Sequence, residues 1–252
     1  MNFSQIEQKI EENKPLDFGD IFNKSFELFK KTWQQGLLYM LLSVAIVLGV
    51  MAIILVPMFL AGVIDPSSFE SLENGNPDFR AIIGVYLLMI PAIFAASVLS
   101  MLLNAAFYRI VKQIDLGESA STASFAMFFK SQYISKAFVL SILTMLIAIA
   151  ATLACYLPLF FVMVPLTLVV VFFAFNPDLS VGDILKLSFK LGTKKWLLTF
   201  GLIIVASLLA EIVGLLLCGI GIFATASFVY LPTYFVYKET VGFENERIEV
   251  ER

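Results

Sequence analysis

Few residues in this chain could do chemistry. Among its 252 residues there is no histidine, so the commonest general base and metal ligand is missing. Cys155 and Cys218 lie in apolar runs, without zinc-site spacing or a disulfide framework, and read as small buried residues. There is no nucleophile elbow, phosphate-binding glycine loop or pair of carboxylates facing a common cleft. The expectation is a protein that is not an enzyme and binds no cofactor or metal. A few polar groups remain. Glu211 alone sits deep in an apolar run, where a carboxylate suits proton coupling or cation binding. Asn104, with Tyr108 and Arg109, either lines a polar pocket or makes a hydrogen bond between helices. Tyr230, Tyr234 and Tyr237 near Pro232 either line a cavity or join an interfacial aromatic belt. Asp65, Glu70, Glu73, Asn74, Asn76 and Asp78 crowd oxygens together but lack the twelve-position calcium-loop pattern, so a solvated turn is expected.

The elements that must position these groups belong to a membrane protein. The chain is 60% hydrophobic and 15% charged, against roughly 25% charged in soluble domains. Six segments reach or approach the ~20 apolar residues needed to cross hydrocarbon: residues 36–64, 81–110, 134–156, 159–175, 196–218 and 220–237. The first two are long enough to tilt or kink, at Pro57 and Pro91. Small residues (Gly49, Gly62, Gly84, Gly201, Gly214 and the Ala95-Ala96 pair) permit close helix contact, in a tight bundle or a homo-oligomer. Lys24, Lys30, Lys31, Arg109, Lys112, Lys130, Lys136, Lys186, Lys190, Lys194, Lys195 and Lys238 all fall on one side and Arg80 on the other. The basic side is cytoplasmic, and both termini lie there. Glu211 then falls in the outer third, where the plainer reading has it reach the outer surface or pair with Arg80. Residues 1–15 are polar and acidic and lack the pattern of a secretory signal, so the first apolar segment is expected to target and anchor the chain.

The sequence also repeats. Residues 16–33 (LDFGDIFNKSFELFKKTW) and 179–196 (LSVGDILKLSFKLGTKKW) agree at nine of eighteen positions. Asp17 and Ser180 read as helix N-caps, with Asp20 and Asp183 at the third helical position and Leu16 and Leu179 stapling onto Ile21 and Ile184. Phe18, Ile21, Phe22, Ser25, Phe26, Phe29 and Trp33 share one helical face, and Lys24, Glu27, Lys30 and Lys31 the other. A weaker copy has Phe129, Lys130 and Tyr133 in place of Phe29, Lys30 and Trp33, with its start near residues 117–121. The expected fold is all-α: six transmembrane helices as three parallel-repeat pairs, each preceded by an amphipathic helix in the cytoplasmic interface. Residues 1–15 form a polar segment and 16–238 one membrane domain, with repeats at about 16–110, 117–176 and 179–238. The acidic tail, 239–252, is disordered or docks on the basic face. Trp33, Trp196, Lys30, Lys31, Lys194 and Lys195 are the expected lipid-interface residues.

Gly182-Asp183-Ile184, Ser188-Phe189, Lys195-Trp196, then residues 216–221 (LLCGIG) and Pro232 to Tyr237, resemble a family of uncharacterised bacterial six-span membrane proteins. They are also similar to the membrane domain of some glycerophosphodiester phosphodiesterases. That resemblance covers about residues 179–237 and, faintly, 16–33; the phosphodiesterase catalytic domain is absent from this sequence. It implies the bacterial inner membrane and a link to lipids, and it carries no catalytic residues. The functional expectation is a non-enzymatic membrane protein that holds lipid or organises protein partners, with no nucleic acid bound. The alternative is a small transporter using Glu211, Asn104 and Tyr108 around a cavity between repeats.

Overall fold

A computed structural model describes residues 1–60, 79–119, 122–154, 156–217, 219 and 221–243. Among them the elements run α1 (Phe3–Glu11), α2 (Phe18–Leu60), α3 (Phe79–Asp115), a 3-10 turn (Thr122–Ala126), α4 (Ser131–Leu153), α5 (Leu157–Phe175), α6 (Val181–Lys194), α7 (Trp196–Leu216), α8 (Gly221–Thr225), a second 3-10 turn (Ala226–Val229) and α9 (Tyr230–Thr240). The described chain is thus all-helical, as expected. Five of these helices, α2, α3, α4, α5 and α7, are long and apolar enough to cross a membrane. Their apolar faces are open: 6% of the most apolar window of α2 is buried, and Ile53 is 75% exposed, Leu60 79% and Leu153 80%. Water does not tolerate apolar surface on this scale, whereas hydrocarbon does, so the fold suits a multi-pass membrane protein. The sixth apolar segment is helical but divided among α8, the 3-10 turn and α9.

The chain forms two compact units, Leu42–Ser100 and the remainder. The smaller contains the C-terminal part of α2 and the N-terminal part of α3. Pro57 and Pro91 lie inside these helices without ending them. Added Cβ atoms at Gly49 and Gly84 would meet no described residue within 4 Å, so these glycines make no close helix contact within the described chain. Gly62, Cys155, Cys218 and the acidic loop at 65–78 lie outside the described residues.

The larger unit realises the expected helix starts. Asp17 Oδ1 accepts from the Asp20 amide at 2.8 Å, and the Ser180 hydroxyl accepts from the Asp183 amide at 3.1 Å. Ile21 and Ile184 are buried, and Ser25 and Ser188 each donate to the carbonyl four residues back at 2.7 Å. Other expectations are corrected. Residues 16–33 do not form a separate interfacial helix: α2 runs unbroken through Trp33 into its apolar stretch, since no residue there breaks a helix. Its buried line is Ile21, Ser25, Leu28 and Thr32, while Phe18, Phe26 and Trp33 are exposed. Among the described residues between α3 and α4, the one helical element is the short 3-10 turn. Gly117 ends α3 instead of starting a helix: at φ +77° it forms a Schellman closure, with the Glu118 amide donating to the Gln113 carbonyl and the Gly117 amide to that of Ile114. The polar start contains α1, which an Asn2–Gln5 capping box begins.

The largest correction concerns α6. Its apolar face (Ile184, Leu187, Leu191 and Gly192) does not rest on lipid, because α6 packs against α5. Gly192 permits this: a Cβ there would lie 2.7 Å from Pro165 Cα. Trp196, just beyond, donates to the Phe160 and Phe161 carbonyls at 3.3 and 3.1 Å.

Candidate functional site

Two pockets stand out in the larger unit, and both use residues 16–29. The first is a groove of about 300 Å³ lined by Phe22, Phe26, Phe29, Leu209, Ala210, Val213, Thr225 and Phe228. Phe228 anchors it, with Phe22, Phe26 and Phe29 edge-on at ring distances of 5.9, 6.4 and 5.4 Å. Thr225 adds no polarity to the wall, because its hydroxyl bonds to the Ala210 and Gly221 carbonyls. Close approach of α7 and α8 frames this region: a Cβ on Gly214 would lie 2.9 Å from Ile222 Cα, the contact expected of Gly214. Lys30 lies over the Phe26 ring at 5.2 Å and pairs with Glu27, so the rim bears an ion pair. The second pocket, about 380 Å³, is lined by Leu16, Phe18, Lys194, Lys195, Leu197 and Leu198.

Asn104 and Tyr108 are brought together with other polar groups. Asn104 donates to the Tyr39 hydroxyl at 3.1 Å, and Tyr39 donates to that of Tyr230 at 3.2 Å. Tyr108 and Thr233 share a hydrogen bond of 2.7 Å. Asn104 Oδ1 is buried without a hydrogen-bond partner, so this side chain uses one of its two amide donors and neither acceptor site. Tyr234 donates to Asp115 at 2.6 Å, beside the Lys238–Asp115 ion pair at 2.7 Å. Asn176 donates to Tyr237 at 2.7 Å. Tyr234 and Tyr237 are thus core residues instead of belt residues. The C-terminal ends of α3, α5 and α9 meet here.

Glu211 is not part of that cluster. It is exposed on α7 and makes no hydrogen bond or ion pair with a described residue. Arg80, its alternative partner, has no described side chain. Among the described residues no group of three or more metal-ligating side chains occurs.

The basic residues expected at a lipid surface are largely engaged by protein. Arg109 donates to the Ala174 carbonyl at 2.6 Å and Lys136 to that of Leu179 at 2.8 Å, answering unpaired oxygens at and beyond the end of α5. Lys9 donates to the Val241 carbonyl, beyond α9. Lys194 donates to the Ile10 and Glu11 carbonyls at 3.0 and 3.1 Å, and Lys195 to that of Lys14 at 2.6 Å. Lys190 pairs with Glu7 at 2.7 Å and Glu11 at 2.5 Å. Its hydrogen bond and charge hold the Glu11 carboxyl below its ordinary value. Lys30 and Lys31 remain exposed, as does Trp33, while Trp196 is half-buried and stacks on Phe200 at 4.8 Å. Sequence reasoning missed α1, though Asn2, Gln5 and the Ile6/Ile10 spacing signal it. It also missed Gly192, which nothing local distinguishes.

The start of the acidic tail docks. Burial alone would raise the Glu239 carboxyl, but hydrogen bonds from Lys24 and Lys14 outweigh it and lower the pKa. Phe243 packs on Phe175 at 4.9 Å beneath Lys112. Comparison of the chain with family models, curated proteins and solved structures returned no match.

Proposed function

We propose that this is a non-enzymatic, multi-pass protein of the bacterial cytoplasmic membrane that holds lipid in its phenylalanine groove. The observation that carries this reading is the groove's lining: about 300 Å³ bounded by apolar surface, with Lys30 at its rim. The volume lies at the lower end of the ~300–1,000 Å³ range of small-ligand pockets. An apolar chain fits such walls. The likeness to phosphodiesterase membrane domains supports a lipid role. In this reading the chain crosses six times, with residues 221–240 as the sixth crossing and both termini cytoplasmic. Three parallel pairs are supported by the nine shared positions and by the meeting of α3, α5 and α9 at their C-terminal ends.

The test is mass spectrometry of lipids retained by the protein in native nanodiscs, against an unrelated six-span control. One enriched species is expected, and it is expected to be lost in Ala210→Phe, which fills the groove. A profile equal to bulk membrane would overturn the reading. No observation favours transport, since Glu211 is apart from Asn104 and Tyr108.

A further inference from the structure

Where α6 meets α7, two consecutive lysines stand over an apolar floor, and we infer that this corner binds the phosphate of an anionic phospholipid. The inference rests on the lipid-holding reading and gives it a headgroup site separate from the phenylalanine groove. Lys195 is both the last cap of α6 and the first of α7. It therefore presents its side chain beside that of Lys194, in the pocket that Leu16, Phe18, Leu197 and Leu198 complete.

Among the described residues neither ammonium forms an ion pair with a carboxylate, although the Lys194 charge also acts on the Glu11 carboxyl. Glu7 and Glu11 give their carboxylates to Lys190, while Lys194 and Lys195 reach only neutral backbone carbonyls. An ammonium has three N–H donors. Lys194 uses two and Lys195 one, which leaves three donors for phosphate oxygens. Burial, and then the neighbouring Lys194 charge, hold the Lys195 ammonium below its ordinary range; an anion between the two favours the charged form.

The floor selects lipid over a soluble anion. Leu197 is 77% exposed and Phe18 39% exposed directly beside the lysines, and a free phosphate gains nothing from that surface. A phospholipid satisfies both halves, with its phosphate on the ammoniums and the start of its acyl chains along Phe18, Leu197 and Leu198. The end of α1, through the carbonyls of Ile10 and Glu11, and the connection to α2, through that of Lys14, steady the lysines from the other side.

The experiment compares lipids retained by the full chain in nanodiscs of equimolar phosphatidylglycerol and phosphatidylcholine. The protein is expected to enrich phosphatidylglycerol, and the Lys194→Gln/Lys195→Gln pair to lose roughly tenfold of that preference. The Arg pair keeps it. Leu197→Glu, at an exposed position lining the pocket, places a carboxylate there and abolishes the preference with both lysines intact, in protein whose thermal unfolding midpoint matches wild type. An unchanged preference in Leu197→Glu and in the Gln pair overturns the inference. Displacement of phosphatidylglycerol by excess inorganic phosphate also overturns it, reassigning the corner to a soluble anion. If the preference fails while Ala210→Phe still strips lipid, only this site falls; if wild type retains no lipid, the groove reading falls with it.

Discussion

Gly192 shows how much one missing side chain can decide. Its α-carbon stands where a methyl group would lie 2.7 Å from Pro165 Cα and 2.8 Å from Pro165 N, and backbone atoms cannot swing aside as a side chain can. Gly192→Ala is expected to destabilise by about 1–3 kcal/mol, the usual penalty for overpacking, seen as a lower midpoint in thermal unfolding in detergent. Gly49→Ala, where a Cβ meets nothing, is the matched control and should be neutral or slightly stabilising, since alanine is the better helix former. An equal effect of the two would show that the α5–α6 approach is not tight. Sequence reading reached only part of this. It named Gly49 and Gly84, where a Cβ would meet no described residue, and Gly214, where it would meet Ile222. Helical spacing shows which residues are small, but not which of them face a neighbour.

At the level of elements, α1 is a docked helix whose attachment depends on charge. Ile6 and Ile10 are fully buried, and Glu7 and Glu11 clamp Lys190. The sign of the pH effect follows from Glu11, whose folded-state pKa is lowered. Its contribution is fully present above the ordinary value of 4.5 and is lost as pH falls through the lower folded value. Lys190, whose pKa is raised, contributes below 10.5 and loses that contribution as pH rises through its higher folded value. Amide protection factors across residues 3–11, corrected for the intrinsic pH dependence of exchange, should therefore be high near neutrality and fall in acid. Glu11→Gln should flatten the acid response, and an unchanged acid profile in that variant would remove Glu11 from the latch. The N-caps Asp17 and Ser180 were legible because a cap is a local contract between residues three apart. The α1 capping box was equally local; only the acidic composition around it hid the signal.

For the whole molecule, the proposed six crossings predict which positions share a side. A cysteine placed at Lys31 or at Lys186 should react with an impermeant maleimide only after the inner face is opened, and one at Leu217 should react from outside. Labelling of Lys186 and Leu217 from the same side would refute six crossings. Glu211→Gln should leave lipid retention unchanged, because its carboxylate meets no described residue. Retention lost in that variant would return Glu211 to the candidate site.

Composition and periodicity alone determined that this chain is helical and apolar enough for a bilayer, and they marked where its helices begin. Those properties depend on residues one to four positions apart, so the chain states them wherever it folds. Tertiary structure decided where the surfaces went. It turned α6 onto α5, set Trp196 against the Phe160 and Phe161 carbonyls, and placed Lys194 at the end of α1, 183 to 184 positions away in sequence. It also left Glu211 outside the Asn104–Tyr108 network. A basic or apolar face is satisfied equally by lipid or by another helix, and only the packed fold shows which partner arrived.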